Sequence, residues 1–395
     1  MRASVGLFTY SVKPRGSVVH AACLAEALAD AGTDVTLYAL TKGNDAFFRP
    51  LRCRFVAFPA APAPAEPDRL IEQRIAELQA GLEHVADRHD VYHAEDCLTA
   101  SALVTAKLRG LRPVVRTVHH VENYASPFLA ACQRRSILAA DLVLSVSERT
   151  SRDVSAEFGR SSRIVHNGVD LARFATVTPT GFVARLGIAP DDVVVLSVGG
   201  VEERKNTLRT LDAMIATLCA NPRVFWVLAG GASIWDHSEL ERRFDERVAA
   251  LPAEQRRRVV RTGPLEEAAL GELYARSDVL ACASLHEGFG LCVLEALASG
   301  TAVLASNREP FTEFVDDGVA RLVDPEDTAS IAEGLRALTG DAALRARLAS
   351  AGRGRASAFS WAKAASEHLD AYGELLEGPA RRQRTLRAAG VHEGA

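Results

Sequence analysis

The segment Asp278–Gly300 brings together residue types that could bind and transform a ligand. It reads DVLACASLHEGFGLCVLEALASG, and its apolar run Val279–Ser284 predicts a buried parallel strand. A loop with two glycines follows, and then an apolar helix that ends at Gly300. Because the first turn of a helix has unpaired backbone N–H groups, this strand, loop and helix predict a phosphate- or sugar-binding corner. A βα loop with no ligand is the alternative.

Two carboxylates lie in this corner, at Glu287 in the loop and at Glu295 in the helix. Glu295 is the only ionisable carboxylate or base between residues 288 and 307, although the helix around it is apolar. A carboxylate buried on such a helix is costly unless a partner satisfies it. Hydroxyl groups of a bound ligand would do so, and an arginine from a neighbouring element is the structural alternative.

The loop Ser197–Asn206, SVGGVEERKN, is the corresponding corner at the start of the second half of the chain. Two glycines follow a predicted strand, and Arg204 and Lys205 stand beside the next helix. Cations at a helix start indicate a diphosphate ligand, because the helix dipole gives them no structural reason to lie there. The alternative is a solvated loop in which neighbouring glutamates balance the two cations.

The first half of the chain offers two further signals. The loop SVKPRGS joins the first strand to the first helix, and Gly16 at the helix start lets backbone approach an anion, which the dipole favours by roughly 0.3–1 kcal/mol. His119 and His120 follow the strand-like run PVVRTV, at the carboxyl end where α/β proteins bind ligands. An ordinary turn and ordinary core or surface histidines are the alternatives.

The composition excludes several classes of protein. A chain of 395 residues suggests two domains, and its net charge of −4 gives no basic footprint for nucleic acid. Its seven cysteines are scattered without a CxxC pair, which favours reduced thiols over disulfides or zinc ligands. The start of the sequence has no signal-like apolar core, and no run approaches the ~20 apolar residues of a membrane span. We therefore expect a cytoplasmic enzyme, and a peripheral contact with the cytoplasmic face of a membrane stays open.

Short apolar runs alternate with amphipathic stretches along the chain, in two blocks separated by the apolar-poor stretch Arg173–Gly181. The first block has the predicted strands Val5–Tyr10, Asp34–Leu40, Cys53–Phe58, Asp90–His93, Pro113–Val118, Asp141–Val146 and Ile164–His166. The second has Val193–Val198, Val224–Ala229, Val259–Arg261, Val279–Ala283, Thr301–Ala305 and Ala320–Val323. Because repeated β–α units form parallel sheets covered on both faces, we predict an α/β fold with two doubly wound domains facing each other across a cleft.

Over almost its whole length the chain resembles glycosyltransferase family 4, which has the GT-B fold. Four stretches carry the resemblance: HEGFGLCVLEALASG with its E-x7-E pair, GTAVLASNREPFTEFVDDGVARLVDPED, VHNGVDLARF and FSWAKAASEHLDAYGEL. It implies two Rossmann-like domains, with the acceptor mostly on residues 1–172 and the nucleotide-sugar donor on residues 182–360. It also implies that a last helix, about 361–377, crosses back onto the first domain. The arginine-rich residues 378–395, which begin with Gly-Pro, are expected to be disordered.

The resemblance also implies roles for individual residues. Glu287 would contact the donor sugar, Glu295 the ribose hydroxyls and Lys205 the diphosphate, while His119 would lie beside the transferred sugar. The implied catalytic residues are His119, Glu287 and Lys205. The implied donor-binding residues are Gly16, Arg204, Lys205, Glu287, Gly288, Phe289, Gly290, Leu291 and Glu295, and Phe289–Leu291 would act through backbone amides. Glu313 matches a recurrent glutamate to which no role is given.

Two positions depart from the family pattern. The family usually has Gly-Arg where this chain has Gly199-Gly200, and we expect Arg204 to replace the missing diphosphate-binding arginine. The first loop usually has Gly-Gly where this chain has Arg15-Gly16.

The resemblance implies a retaining glycosyltransferase that uses a nucleotide diphosphate sugar and a glycan, lipid or small-molecule acceptor. The chain contains no Asp-x-Asp pair, so we expect no metal cofactor, and Lys205, Arg204 and helix-start amides would stabilise the leaving group instead. A non-catalytic nucleotide-sugar-binding homologue and a nucleotide-sugar epimerase with the same fold are the alternatives. A nicotinamide dehydrogenase would need GxGxxG after the first strand, whereas the GxG at Gly288–Gly290 is followed by Val293 where the motif needs glycine.

Overall fold

The computed structural model describes residues 3–43, 45–64, 66–85, 88–111, 113–177, 179–231 and 237–388, and it describes residues 378–388 by their backbone alone. The chain divides into two compact units. The first comprises Met1–Asn167 and Trp361–Ala395, and the second comprises Gly168–Ser360. The chain therefore leaves the first unit after Asn167 and returns to it at Trp361.

The first unit is a parallel sheet with helices between its strands. Its strands are β1 (Ser4–Thr9), β2 (Asp34–Lys42), β3 (Arg54–Ala60), β4 (Val91–Ala94), β5 (Val114–Val118), β6 (Leu142–Ser145) and β7 (Arg163–Ile164). Its helices are α1 (Gly16–Asp30), α2 (Pro67–Leu82), α3 (Cys97–Lys107), α4 (Pro127–Leu138), α5 (Glu148–Phe158) and α15 (Trp361–Ala388). The strand order is β3-β2-β1-β4-β5-β6-β7, so the order reverses between β1 and β4. At such a switch point the loops after the two strands diverge and leave a crevice.

The second unit repeats this plan. Its strands are β8 (Val193–Val198), β9 (Val224–Ala229), β10 (Val259–Gly263), β11 (Val279–Cys282), β12 (Ala302–Ser306) and β13 (Arg321–Val323). Its helices are α6 (Leu171–Ala175), α7 (Phe182–Arg185), α8 (Thr207–Ala220), α9 (Ser238–Ala249), α10 (Ala253–Arg256), α11 (Glu267–Arg276), α12 (Leu291–Ser299), α13 (Thr328–Gly340) and α14 (Ala342–Ala356). The parallel order β10-β9-β8-β11-β12-β13 places the switch point between β8 and β11. The predicted α/β class with two doubly wound units is confirmed.

The apolar runs form these strands because both faces of each sheet are covered by helices. In β1, Val5 and Leu7 have no exposed surface and pack on Leu24 and Leu28 of α1 in one core. The helix α15 joins the same core, since its Tyr372 is buried there. The last helix is therefore a structural part of the first unit.

The backbone corrects the expectation for the end of the chain. Disorder was expected from Gly378, whereas the helix continues through Pro379 to Ala388. The residues that follow are mostly alanine and arginine, which are good helix formers and outweigh the Gly-Pro pair. Residues 389–395 lie outside the described part of the chain.

The stretch predicted as a break between blocks, Arg173–Gly181, belongs to the second unit. A guanidinium nitrogen of Arg173 lies 2.5 Å from the carboxylate of Glu267, and the Phe174 ring packs edge-on against Tyr274 at a centroid distance of 5.6 Å. The amide and the hydroxyl of Thr180 also donate hydrogen bonds to Glu272, so polar contacts and an aromatic pair hold this segment. Because few of its residues are apolar, the sequence pattern resembled a linker between the two blocks.

All seven cysteines are free thiols, as expected. Cys282 and Cys292 are buried, with their sulfur atoms 3.8 Å apart. No helix within the described ranges is both long enough and apolar enough to span a bilayer.

Candidate functional site

The corner predicted between β11 and α12 is present in the second unit. Strand β11 ends at Cys282, α12 begins at Leu291, and Glu287 lies in the loop between them. Gly290 precedes the helix with a φ of +99°, and a Cβ there would lie 2.5 Å from a ring carbon of Phe311. Because only glycine suits both the backbone conformation and the space, Gly290 fixes the shape of this loop.

Phe289, which the resemblance assigned to the donor through its amide, has its side chain in the core. The ring is 3% exposed and stacks on Phe314 at a centroid distance of 4.9 Å and an angle of 14°. The ring therefore anchors the loop. Any contact of Phe289 with a ligand would come from its backbone.

The carboxylate of Glu287 is the centre of a charged cluster. Lys205 Nζ lies 2.6 Å from Oε1, and Arg204 Nη1 lies 2.8 Å from Oε2. Ser284 donates a hydrogen bond of 3.0 Å to Oε1. Burial alone would raise the pKa of Glu287, but Lys205 and Arg204 outweigh it and lower the pKa to about 2. Burial also opposes the charge on Lys205, yet Glu287 raises the pKa of this lysine. All three groups are therefore charged at neutral pH.

Asn206 fixes the loop that carries the two cations, and the sequence analysis did not assign it to the site. Its φ of +58° lies in the left-handed region, which is uncommon for a residue other than glycine. Its buried side-chain amide donates hydrogen bonds of 2.9 Å to Ala283 O and 2.6 Å to Pro325 O. These bonds hold the loop before α8 against the end of β11. An asparagine directly before a helix start was the available signal, since asparagine tolerates this conformation and bonds to backbone groups.

Arg204, which we expected to replace a family arginine at position 200, is bound to two carboxylates. Besides Glu287 it contacts Glu202, with Nη2 3.2 Å from Oε2, and its side chain is 37% exposed. At Gly200 itself a Cβ would lie 2.7 Å from Gly231 O. A side chain at position 200 would therefore require the neighbouring loop to move, which explains the glycine.

A cavity of about 190 Å³ lies beside these glycines. Its walls include Gly199, Gly200, Gly230, Gly231 and Gly263. These residues lie at or just beyond the carboxyl ends of β8, β9 and β10, where doubly wound sheets bind ligands. The volume is below the ~300–1,000 Å³ of a typical ligand pocket, so it suits one part of a ligand that backbone groups can approach closely.

Glu295 on α12 is satisfied by a tyrosine. The hydroxyl of Tyr274 on α11 donates a hydrogen bond of 2.8 Å to Oε2 of Glu295. Burial raises the pKa of Glu295. The arginine considered as the structural alternative is not the contacting partner. The other oxygen, Oε1, accepts no hydrogen bond from the described part of the chain, so it is available to a ligand.

The two predicted residues of the first unit occupy different settings. Gly16 is the first residue of α1, and no atom would lie within 4 Å of a Cβ there, so the backbone is open on that side. His119 directly follows β5, and its Nε2 lies 2.9 Å from Oε2 of Glu95. The neighbouring His120 is about half exposed and pairs with Glu122 at 2.7 Å.

His119 belongs to a buried group of histidines in the first unit that sequence analysis did not find. His20 of α1, His93 of β4 and His368 of α15 are each at most 1% exposed. His93 bonds to Thr117 Oγ1 at 2.7 Å and to the hydroxyl of Tyr372 at 2.6 Å. A histidine inside an apolar helix face, as in HAACLAEAL, was the only signal for this group.

Acidification from pH 7 to pH 5 is expected to destabilise the first unit. Burial lowers the pKa of His93 to about 3 and those of His119 and His368 to about 4, whereas an unfolded histidine titrates near ~6.5. Below that pH the unfolded chain binds protons that the folded unit does not. Each of these histidines therefore lowers the free energy of unfolding by roughly 1 kcal/mol per pH unit. Burial raises the pKa of Asp96 to about 6, so below that pH the folded unit binds a proton that the unfolded chain does not. This gain offsets the loss from about one of the three histidines.

Thermal unfolding at pH 7 and pH 5 measures this effect. A variant His368→Gln, which can still donate to Ala364 O as His368 does, should show a smaller difference between the two midpoints. Equal midpoints at both pH values in the parent protein would mean that the folded unit takes up the protons.

The structure thus brings most of the predicted donor-binding residues together. Glu287, Arg204 and Lys205 are in direct contact, and Gly288–Leu291 follow in the same loop and the first turn of α12. Glu313 lies in a short 3-10 turn, Phe311–Glu313. His119 and Gly16 lie in the other unit.

Two family models match the chain, and each lies mainly within one unit. The model described as Glycosyltransferase Family 4 matches residues 14–173, and the model described as Glycosyl transferases group 1 matches residues 182–355.

Proteins of known name are similar along most of the chain. A D-inositol 3-phosphate glycosyltransferase of Xylanimonas cellulosilytica is 30% identical over 313 residues, which cover 73% of each protein. One of Geodermatophilus obscurus is 29% identical over 329 residues, which cover 79% of this chain and 72% of the relative.

Two solved structures show the same fold. A sucrose-phosphate synthase of Thermosynechococcus elongatus superimposes with a TM-score of 0.77 at 23% identity, over 98% of this chain and all of the other. Anabaena Alr3699/HepE in complex with UDP and glucose gives a TM-score of 0.78 at 20% identity, over 94% of this chain and all of the other.

Proposed function

The chain belongs to glycosyltransferase family 4 and is a glycosyltransferase, and we propose that it moves a sugar from a nucleotide diphosphate sugar to an acceptor with retention of configuration and without a metal ion. The observation that carries the proposal is the Glu287 carboxylate held between Lys205 and Arg204 in the loop before α12. These cations and the amides at the helix start would bind the diphosphate and stabilise the charge of the leaving group.

The proposed reaction needs no enzyme nucleophile. Glu287 is held by two cations and Ser284, so its carboxylate is a poor attacking group and suits binding of sugar hydroxyls instead. The acceptor hydroxyl would bond to the anomeric carbon on the face from which the phosphate departs. The bond from that carbon to the phosphate oxygen breaks, and the acceptor proton passes to the leaving phosphate. Lys205 and Arg204 would hold that phosphate in place.

The nucleotide would lie along the carboxyl ends of β8–β11. The cavity lined by Gly199, Gly230 and Gly263 suits the base, and the free Oε1 of Glu295 suits a ribose hydroxyl. UDP is the first nucleotide to test, because the HepE structure is described with UDP. D-inositol 3-phosphate is the first acceptor to test, because relatives about 30% identical are named for it.

A donor screen followed by product analysis tests the proposal. Thermal shifts with UDP-, GDP- and ADP-sugars should identify one donor, since a ligand at a hundred times its Kd adds ~2.7 kcal/mol of stability. The product formed with an accepted acceptor should keep the anomeric configuration of the donor sugar, and EDTA should not lower the rate.

Each alternative predicts a different outcome. An inverted anomer would exclude retention, and strict dependence on magnesium or manganese would exclude the metal-free diphosphate site. Binding without transfer or donor hydrolysis would indicate a non-catalytic homologue. An isomerised donor formed without acceptor would indicate an epimerase.

Glu295→Gln is expected to keep the fold and to weaken binding of the donor's nucleoside diphosphate by about 10- to 100-fold, since a hydrogen bond to a charged acceptor is lost. Tyr274→Phe is the companion variant, because it removes the hydroxyl that orients the carboxylate but leaves the charge. Titration calorimetry and thermal unfolding measure both effects. A large loss of stability with unchanged affinity would make Glu295 a structural residue.

A further inference from the structure

Glu95 is a fully buried carboxylate surrounded by histidines, and the reaction proposed above does not use it. His119 Nε2 and His20 Nδ1 both lie 2.9 Å from its Oε2, and His93 Nε2 lies 3.7 Å from its Oε1. Within the described residues no lysine or arginine contacts this carboxylate. A buried carboxylate without such a cation is costly, and a protein that retains one has a use for it.

The sheet places Glu95 beside His119. Glu95 follows β4 and His119 follows β5, and these strands are neighbours, so both residues lie at the same carboxyl edge. The Glu95 amide donates to Phe8 O at 3.0 Å, which ties its backbone to β1. The next residue, Asp96, caps α3 through bonds to the amides of Leu98 and Thr99. The carboxylate is therefore held rigidly at the switch point of the first unit.

This contact selects one tautomer of His119. Burial alone would raise the pKa of Glu95, but the surrounding histidines hold it well below its usual range, so the carboxylate is ionised and can only accept hydrogen bonds. Burial lowers the pKa of His119 to about 4, so this imidazole is neutral at pH 7. A neutral imidazole that donates from Nε2 carries its lone pair on Nδ1. Nδ1 forms no hydrogen bond with the described part of the chain, and the side chain is 13% exposed.

We propose that Glu95 is a positioning residue that accepts the Nε2–H of His119 and thereby presents Nδ1 as a hydrogen-bond acceptor to a hydroxyl of a sugar substrate bound at this edge of the first sheet. The inference rests on the proposed function, because a glycosyltransferase has substrates with sugar hydroxyls that Nδ1 could bind. The partner chemistry is specific: Nδ1 in this tautomer binds a hydroxyl donor and cannot donate to an ether or phosphate oxygen. His20 Nδ1 of α1 lies 2.9 Å from the same carboxylate oxygen but does not have the geometry of a hydrogen bond to it.

The charged and titratable groups around His119 come from all the elements packed against it. They are Glu95 after β4, His93 of β4, Arg116 of β5, His20 of α1 and His368 of α15. The oxygen and nitrogen atoms of His20, Glu95 and His119 also lie within 4.8 Å of one another, which would fit a divalent cation. In that case Nε2 of His119 would be a ligand and could not carry a proton, so the two interpretations are exclusive.

Nitrogen NMR of histidine-labelled full-length protein tests the tautomer directly. At pH 7.5 the His119 signals, assigned by their loss in His119→Gln, should show a protonated Nε2 and an unprotonated Nδ1. In Glu95→Gln the side-chain amide can donate to Nε2 instead, so the populations should shift toward Nδ1–H. A protonated Nδ1 in the parent protein would overturn the proposal, and this result does not depend on activity.

Kinetics test the consequence for transfer. Glu95→Gln should lower kcat by roughly 10- to 100-fold, as for other residues that orient a functional histidine, and should leave the donor KM unchanged. The matched control is Glu26→Gln, which alters another buried carboxylate of the first unit, one paired with Arg49 at 2.6 Å. The control should lose stability and keep its kcat. Equal kcat values for Glu95→Gln and the parent enzyme would overturn the proposal.

Metal analysis separates the remaining possibility. Elemental analysis measures the metal content of the purified protein before and after incubation with zinc or manganese. We expect the same metal content in the parent protein and in His20→Asn, Glu95→Gln and His119→Gln. A stoichiometric ion lost in these variants would replace the hydrogen-bonded arrangement with a metal site. If the parent protein transfers no sugar from any donor, the proposed function fails, while the NMR result still decides the tautomer.

Discussion

Lys205→Ala is expected to lower kcat/KM for sugar transfer by roughly 10²–10³-fold, the usual effect of removing one group that stabilises charge in a transition state. Lys205 Nζ is the closest cation to Glu287, at 2.6 Å, and its side chain is 17% exposed, so little solvent screens its charge. The variant should also lose more affinity for the nucleoside diphosphate than for the nucleoside, since only the former carries the charge that the lysine pairs. Steady-state kinetics and calorimetry with both ligands measure these effects.

Lys107→Ala is the matched control. Lys107 at the end of α3 is 20% exposed, and its Nζ lies 2.6 Å from Asp141, so it equals Lys205 in burial and pairing but lies in the first unit. The control should keep its kcat/KM. If both variants lose activity equally, the effect comes from a general loss of stability. If Lys205→Ala binds the diphosphate as well as the parent enzyme does, Arg204 and the helix amides suffice to bind it.

The local parts of the corner between β11 and α12 could be predicted from sequence because local physics determines them. An apolar run between glycine loops forms a buried strand. A glycine directly before a helix is typical of a positive φ, and Gly290 has one before α12. Lys205 and Glu287 were both identified, each in its own loop. Their contact depends on β8 and β11 being neighbours, and strand order is a property of the whole sheet. The spacing of residues in the sequence therefore does not predict the contact between Lys205 and Glu287.

The partners of buried polar groups were the least predictable part of the site. Glu295 was expected to need a ligand or an arginine, whereas a tyrosine hydroxyl from the preceding helix is its partner. Glu95 was not singled out at all, because two of the three histidines around it, His20 and His119, come from elements distant in sequence. In sequence, an acidic residue directly after an apolar strand resembles the N-cap of the next helix. Asp96 is such a cap, whereas its neighbour Glu95 is not. Only the packing distinguishes the two residues.

Gly290→Ala is expected to destabilise the second unit by about 2–5 kcal/mol and to abolish donor binding. A side chain at a φ of +99° is strained, and its Cβ would lie 2.5 Å from the buried ring of Phe311, so the loop or the ring must move. Because Glu287 lies three residues earlier in the same loop, a shift that relieves the overlap would also displace the carboxylate from Lys205. Denaturant unfolding and a donor thermal-shift assay measure the two effects.

Gly271→Ala provides the control for the same substitution in the same unit. Gly271 lies within α11, and no atom would lie within 4 Å of its Cβ, so alanine fits without strain. Since alanine is a better helix former than glycine, this variant should gain up to about 1 kcal/mol and keep its affinity for the donor. Equal stability of the two variants would show that the loop before α12 adapts freely. The rigid corner on which the diphosphate site depends would then have to be abandoned, because a loop that accepts a side chain at Gly290 cannot hold Glu287 in one position.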